Sequence, residues 1–113
     1  MKQSVKMIVG NWKMNGEVGG LAELEKLAAR LKSDPCRVDV AVCPPATLIE
    51  RMRCLGQPAA IAIGGQDCHT EPQGAFTGSI SAELLFEAGC EFVIVGHSER
   101  RQAFGETDTL VSN

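Results

Sequence analysis

No stretch of this chain stays apolar for the ~20 residues that a membrane-crossing helix needs, so no bilayer span is expected. The opening Met1-Lys2-Gln3-Ser4 runs straight into a strand-like stretch, without the apolar core of an export signal. Basic residues are scattered apart from Arg100-Arg101 and the net charge is −3, whereas a nucleic-acid binder presents a basic face. Cysteine occurs five times, at 36, 43, 54, 68 and 90, but never as Cys-x-x-Cys or in paired spacing. An odd count without framework spacing predicts reduced thiols and a cytoplasmic setting, with Cys43 and Cys90 as small core residues beside apolar runs. Cys68-His69 has no second ligand pair, so no metal is expected there and the two read as a polar loop pair. Neither a Gly-x-Gly-x-x-Gly after a strand nor a P-loop is present, which argues against dinucleotide and nucleotide binding. Repeats, low-complexity stretches and linkers are also missing, so residues 1–113 read as one domain.

What is present is ordinary globular composition, 44% hydrophobic and 22% charged, arranged in a regular alternation. A domain of this size buries roughly 60–70% of its unfolded surface, enough for one modest core. Val5–Val9 is a short β-branched run, and Leu21, Leu24, Leu27, Ala28 and Leu31 then follow at the spacing of one helical face. Asp34-Pro35 stops that helix. Val38–Val42 is a second strand, and Thr47-x-x-Glu50 has the spacing of a capping box opening a helix that ends before Gly56. Ala60–Ile63 is a third strand, halted by Gly64-Gly65. A loop of about a dozen residues follows, long enough to suggest function. Ile80–Ala88 reads as a helix ended by Gly89, and Phe92–Val95 as a fourth strand; Ser98 is placed to cap a short helix and Thr107 to start another. Continuously apolar strands alternating with helices predict an α/β fold, about four parallel strands covered by helices.

In such folds the carboxyl ends of the strands converge on the face where ligands sit. Two polar clusters fall there: Asn11-Trp12-Lys13 after the first strand and Gly96-His97-Ser98-Glu99-Arg100-Arg101 after the fourth. Lone histidines are more often structural, but His97 lies one residue past a strand end and beside a helix start. The free N–H groups and positive partial charge there disfavour an imidazolium, leaving a neutral ring that donates to a substrate oxygen. Asn11 and Lys13 alternate with Trp12, so continued strand geometry projects both to one side. Lys13 would supply positive charge to an anionic substrate or a developing oxyanion. Glu99 reads either as part of a solvated charge cluster or as the group that holds Lys13 in place.

Taken in order, Gly10-Asn11-Trp12-Lys13-Met14-Asn15, Gly74-Ala75-Phe76-Thr77-Gly78 and Val95-Gly96-His97-Ser98-Glu99-Arg100-Arg101 make the chain resemble the triosephosphate isomerase family along essentially its whole length. The resemblance implies the first half of a (β/α)8 TIM barrel, truncated after the fourth strand and the start of the next helix. It implies interconversion of dihydroxyacetone phosphate and glyceraldehyde 3-phosphate, in glycolysis and gluconeogenesis, without metal or organic cofactor. By the same resemblance, His97 is the catalytic electrophile, Asn11 and Lys13 are substrate contacts, and Lys13 also stabilises the enediolate. Ser98 and Glu99 support them, and Phe76 and Thr77 lie in the loop that enters the partner subunit of a homodimer. A neutral histidine at a helix N-terminus is itself a known feature of that family, so the helix-end reading of His97 and the resemblance are one line of support.

The family's general base, a glutamate after the sixth strand, has no counterpart in these residues, nor has the later phosphate grip. A base must come within hydrogen-bond reach of the proton it removes, so the chain alone is expected to be inactive. The alternative is a non-catalytic half-barrel acting through self-association or complementation, because an open sheet leaves two edges able to pair. A small flavodoxin-like binding domain is a third reading, opposed by the absence of a phosphate-cradling glycine loop after the first strand. Coding sequence past Asn113 that holds a strand ending in glutamate would support the enzyme; an immediate stop codon would favour association.

Overall fold

Parallel pairing of neighbouring strands obliges the chain to cross back after each one, and the apolar helical faces identified above supply the crossovers. The computed structural model describes residues 6–113. Within them β1 (Met7–Asn11), β2 (Asp39–Cys43), β3 (Ile61–Gly65) and β4 (Phe92–Val93) form one sheet in the order β1-β2-β3-β4, every pair parallel. The crossovers carry α1 (Leu21–Ser33), α2 (Ile49–Gly56) and α3 (Ala82–Ala88); α4 (Ser98–Phe104) and α5 (Asp108–Ser112) follow β4. This is the alternating α/β order the apolar runs predict.

Register and the two-residue pleat decide which side chains share a face. Asn11 pairs with Cys43, and Gly64 with Phe92, while Val42 pairs with Ile63. One face therefore carries a row of Asn11, Cys43, Gly64 and Phe92. The other carries Val40, Val42, Ile61 and Ile63, and there the core forms. Leu24 and Ala28 of α1, Ile49 and Met52 of α2, and Leu85 of α3 are buried against it, with Leu21, Leu27 and Leu31 at its margin. The helical stripe of α1 thus does what its spacing implies. β1 is the exception to coverage: Met7, Ile8 and Val9 are 51%, 61% and 41% exposed, because no strand among the described residues pairs with their outer edge.

Several boundaries differ from the expectations, each for a local reason. β1 runs to Asn11 instead of ending at Val9, because its ladder with β2 continues through Asn11 and Cys43; Val5 lies outside the described residues. Thr47 and Glu50 make no capping box. The chain enters α2 through a 3₁₀ turn, Ala46–Leu48, in which the Leu48 N–H donates to the Pro45 carbonyl at 3.0 Å, so Thr47 lies inside the turn instead of before the helix. α3 begins at Ala82 because Ser81 caps it, its Oγ accepting the Leu84 N–H at 3.2 Å. β4 is two residues, not four, although the Ile94 N–H still donates to Gly65 O at 2.9 Å.

Gly64 and Gly65 do not halt β3 but complete it. A Cβ on Gly64 would lie 2.5 Å from the Phe92 ring and 2.9 Å from Cys43 Sγ, so the bare backbone makes room for the aromatic ring crossing it. Gly64→Ala is expected to lower the unfolding free energy by about 1–3 kcal/mol through overpacking. A urea midpoint equal to that of the parent protein would show that Phe92 relocates freely instead.

Candidate active site at the strand ends

The chain leaves β1 at Asn11, yet the Trp12 N–H still donates to the Cys43 carbonyl at 3.0 Å. Strand geometry then breaks. Lys13 adopts φ 56, a left-handed conformation that L-residues avoid, and its N–H donates to Asn11 Oδ1 at 2.9 Å. Asn11 and Lys13 do line one cleft, but the alternation of a continuing strand is not what brings them together. A tight left-handed turn does so, while the Trp12 side chain packs toward the core.

At the fourth strand end, Gly96 turns at φ 62, and an alanine Cβ there would meet Val111 at 2.7 Å. The turn leaves His97 extended, at φ −56 and ψ 145, as the residue flanking α4. Its imidazole, not the Ser98 hydroxyl, caps the helix: Nδ1 accepts the Glu99 N–H at 3.1 Å. Ser98 is instead the first helical residue and is exposed. A ring nitrogen that accepts an amide proton carries none itself, so the neutral tautomer holds its proton on Nε2, as a donor.

Lys13 and His97, 84 positions apart in sequence (97 minus 13), share a cleft of about 580 Å³. Asn11, Gln66, Glu99 and Arg100 also line it. Lys13 Nζ lies 3.3 Å from Glu99 Oε2, with both side chains about half exposed (54% and 52%). Solvent screening leaves such a pair little weight in stability, so its value is positional. Glu99 is thus both solvent-exposed and within ion-pair distance of Lys13.

Two sets of contacts in the site had no signal in the sequence. Gln66 donates from Nε2 to the carbonyls of Lys13 and Cys43, each at 2.8 Å. Arg100 reaches Asp67 at 3.1 Å and Glu106 at 2.9 Å and lies 4.5 Å over the Phe104 ring, tying α4 to the loop after β3. Burial raises the Asp67 carboxyl above its ordinary pKa, and the Arg100 charge opposes that rise. On the same loop His69 Nδ1 accepts the Glu71 N–H at 2.9 Å and its ring stacks on Phe76, centroids 4.1 Å apart. Phe76 and Thr77 are exposed on this loop, outside the lining of the cleft.

The carboxyl rim of a parallel α/β sheet thus gathers an amide, a paired lysine and a histidine, and in folds of this class ligands sit at that rim. The family model described as triosephosphate isomerase matches residues 6–113, and the chain belongs to that family. It is 55% identical over 107 residues to the triosephosphate isomerase of Ruegeria sp. strain TM1040 and 52% identical over 105 residues to that of Afipia carboxidovorans. These alignments cover 94% and 93% of the chain but 42% of each relative, so it spans about two-fifths of their length. The crystal structure of triosephosphate isomerase from Bartonella henselae superposes with a TM-score of 0.86 at 43% identity, over 93% of this chain and 43% of that one. The four strands are thus part of a TIM barrel.

Cys43, in the row beside Asn11, is fully buried. Its thiol is pushed up from 9.0 to about 11, chiefly by burial and then by the neighbouring Cys90, against a Gly64 N–H that lowers it. A folded-state pKa above the unfolded value means that ionisation opposes folding, so this contribution to stability is intact below pH 9.0 and is lost as pH climbs to about 11. Cys43→Ala is expected to flatten that share of the alkaline decline in urea midpoint. At pH 8 iodoacetamide is expected to label exposed Cys54 and spare Cys43; equal labelling would contradict the burial assigned to this thiol.

Proposed function

We propose that this chain supplies the electrophilic side of a triosephosphate isomerase site. Isomerisation moves a proton from one carbon to its neighbour through an enediolate, so it needs an acid that polarises the carbonyl, a cation near the oxyanion and a base at carbon. The observation that carries the reading is the His97 Nδ1 contact with the Glu99 N–H beside the Lys13–Glu99 pair: with Nδ1 engaged on the helix, Nε2 is the ring nitrogen left to meet a substrate oxygen. In this reading Nε2 hydrogen-bonds the carbonyl and passes protons between the two oxygens of the enediolate. Lys13 holds the anionic substrate and stabilises the oxyanion, and Asn11 binds beside it. Reactant and product have the same oxidation level overall, so the step balances without a redox cofactor.

The base is not among these groups. Glu99 is the one glutamate lining the cleft, and its carboxylate is engaged with Lys13. In the longer assembly the base and phosphate grip come from elsewhere in the polypeptide, residues 1–113 form the amino-terminal portion of the barrel, and Phe76 and Thr77 enter the interface of a homodimer. The substrate is a phosphorylated triose, the setting glycolysis and gluconeogenesis in the cytoplasm. No helix among the described residues is long and apolar enough to cross a membrane.

A second reading has its own support in the exposed apolar residues Met7, Ile8 and Val9 on the β1 edge, which no strand among the described residues covers. In it the 113-residue chain is a half-barrel that associates with another copy or a complementary half. Two experiments separate the readings. The purified chain is expected to show no isomerase turnover and to self-associate in light scattering. Joined to the remaining portion of the Ruegeria enzyme, it is expected to turn over, with His97→Gln reducing kcat by about 10²–10⁴. A joined protein without turnover, or turnover indifferent to His97→Gln, would sink the isomerase reading.

A further inference from the structure

Gln66 has no place in the chemistry just described, yet its half-buried side chain is engaged on two strand ends at once. It follows β3 directly, and its Nε2 donates to Lys13 O beyond β1 and to Cys43 O at the end of β2. The Cys43 carbonyl also accepts the Trp12 N–H, so one amide and one carbonyl join three strand ends. Lys13 sits in this junction at φ 56, which for a lysine is a strained backbone held only where its surroundings over-determine it. Its peptide groups are gripped from both sides, the N–H by Asn11 Oδ1 and the C=O by Gln66 Nε2.

Release of that grip lets φ relax to negative values. Because the Cα–Cβ bond turns with the backbone, the ammonium then swings away from Glu99, now 3.3 Å distant, and from the cleft shared with His97. The Lys13–Glu99 pair, half exposed and screened, is too weak to oppose this alone. We infer that Gln66 is a positioning residue that holds the left-handed turn of Lys13 and thereby aims its ammonium. The inference rests on the isomerase reading above and extends it to a residue that acts through the backbone of Lys13. Two donors on one short, planar group are required, because the two carbonyls belong to different segments and each takes one hydrogen.

The test uses the chain joined to the remaining portion of the Ruegeria enzyme, with Gln66→Met, which keeps length and loses both donors. Displacement of a substrate-binding cation is expected to raise KM and lower kcat together, reducing kcat/KM by about 10–100-fold. A residue that merely supports folding lowers the active fraction, so apparent kcat falls while KM is unchanged. A crystal structure of the variant is expected to show Lys13 at negative φ, with Nζ beyond the ~4 Å ion-pair limit from Glu99. Unchanged KM, or Lys13 unmoved, overturns the inference. Should Gln66→Met fail to fold, Gln66→Asn, polar but one methylene shorter, takes its place; failure of both makes Gln66 a structural tie and overturns it too. A parent protein without turnover overturns the isomerase reading and this inference with it, whereas an active parent with an indifferent variant overturns this inference alone.

Discussion

Parallel register is the constraint on which the site depends. Because Asn11 pairs with Cys43 and Gly64 with Phe92, the four strands finish at a common rim, and the pleat turns Asn11 to the face opposite the helix-packed core. Slippage by one residue in any pair would exchange the two faces, placing Val42 and Ile63 where Cys43 and Gly64 now lie. The apolar contacts of Leu24, Ile49, Met52 and Leu85 therefore do more than stabilise the sheet. They select the register, and the register decides which polar groups meet.

Two local departures from regular geometry then convert a strand rim into chemistry. Lys13 adopts a left-handed turn and His97 caps a helix with its own ring. Each costs something that a stable sheet alone would avoid: backbone strain at Lys13, and a histidine where aspartate, serine or threonine is the usual cap. Each also fixes one chemical variable, the direction of an ammonium and the ring nitrogen left free of the helix. The surrounding hydrogen bonds from Asn11, Gln66 and the Glu99 amide are what make these states the ground state. Arg100 extends the same logic outward, joining α4 to the loop after β3 through Asp67.

Much of the architecture was legible from spacing. The α1 stripe, the order of strands and helices, the Gly89 stop and the Thr107 start all follow from apolar period and backbone preference, and Thr107 Oγ1 does accept the Leu110 N–H. The failures share a cause. Thr47 and Ser98 have the composition of caps, but a 3₁₀ turn from Pro45 bypasses one and the His97 ring displaces the other. Gly64 reads as a breaker until Phe92 is seen crossing it. In each case a neighbouring side chain, near or distant in sequence, or an unforeseen backbone turn outweighed a local preference of about 1 kcal/mol.

The residues by themselves determined the class of sheet, the face each helix buries and the candidate groups Asn11, Lys13, His97 and Glu99, because periodicity and residue chemistry are local properties. Tertiary structure alone decided that Lys13 meets Glu99, that the His97 ring engages the start of α4, and that Gln66 binds two strand ends. Those contacts, two of them between segments far apart in sequence and one a local cap, act over a few ångströms in directions set by strand register and loop turns. No pattern along a chain encodes such directions until the chain has folded.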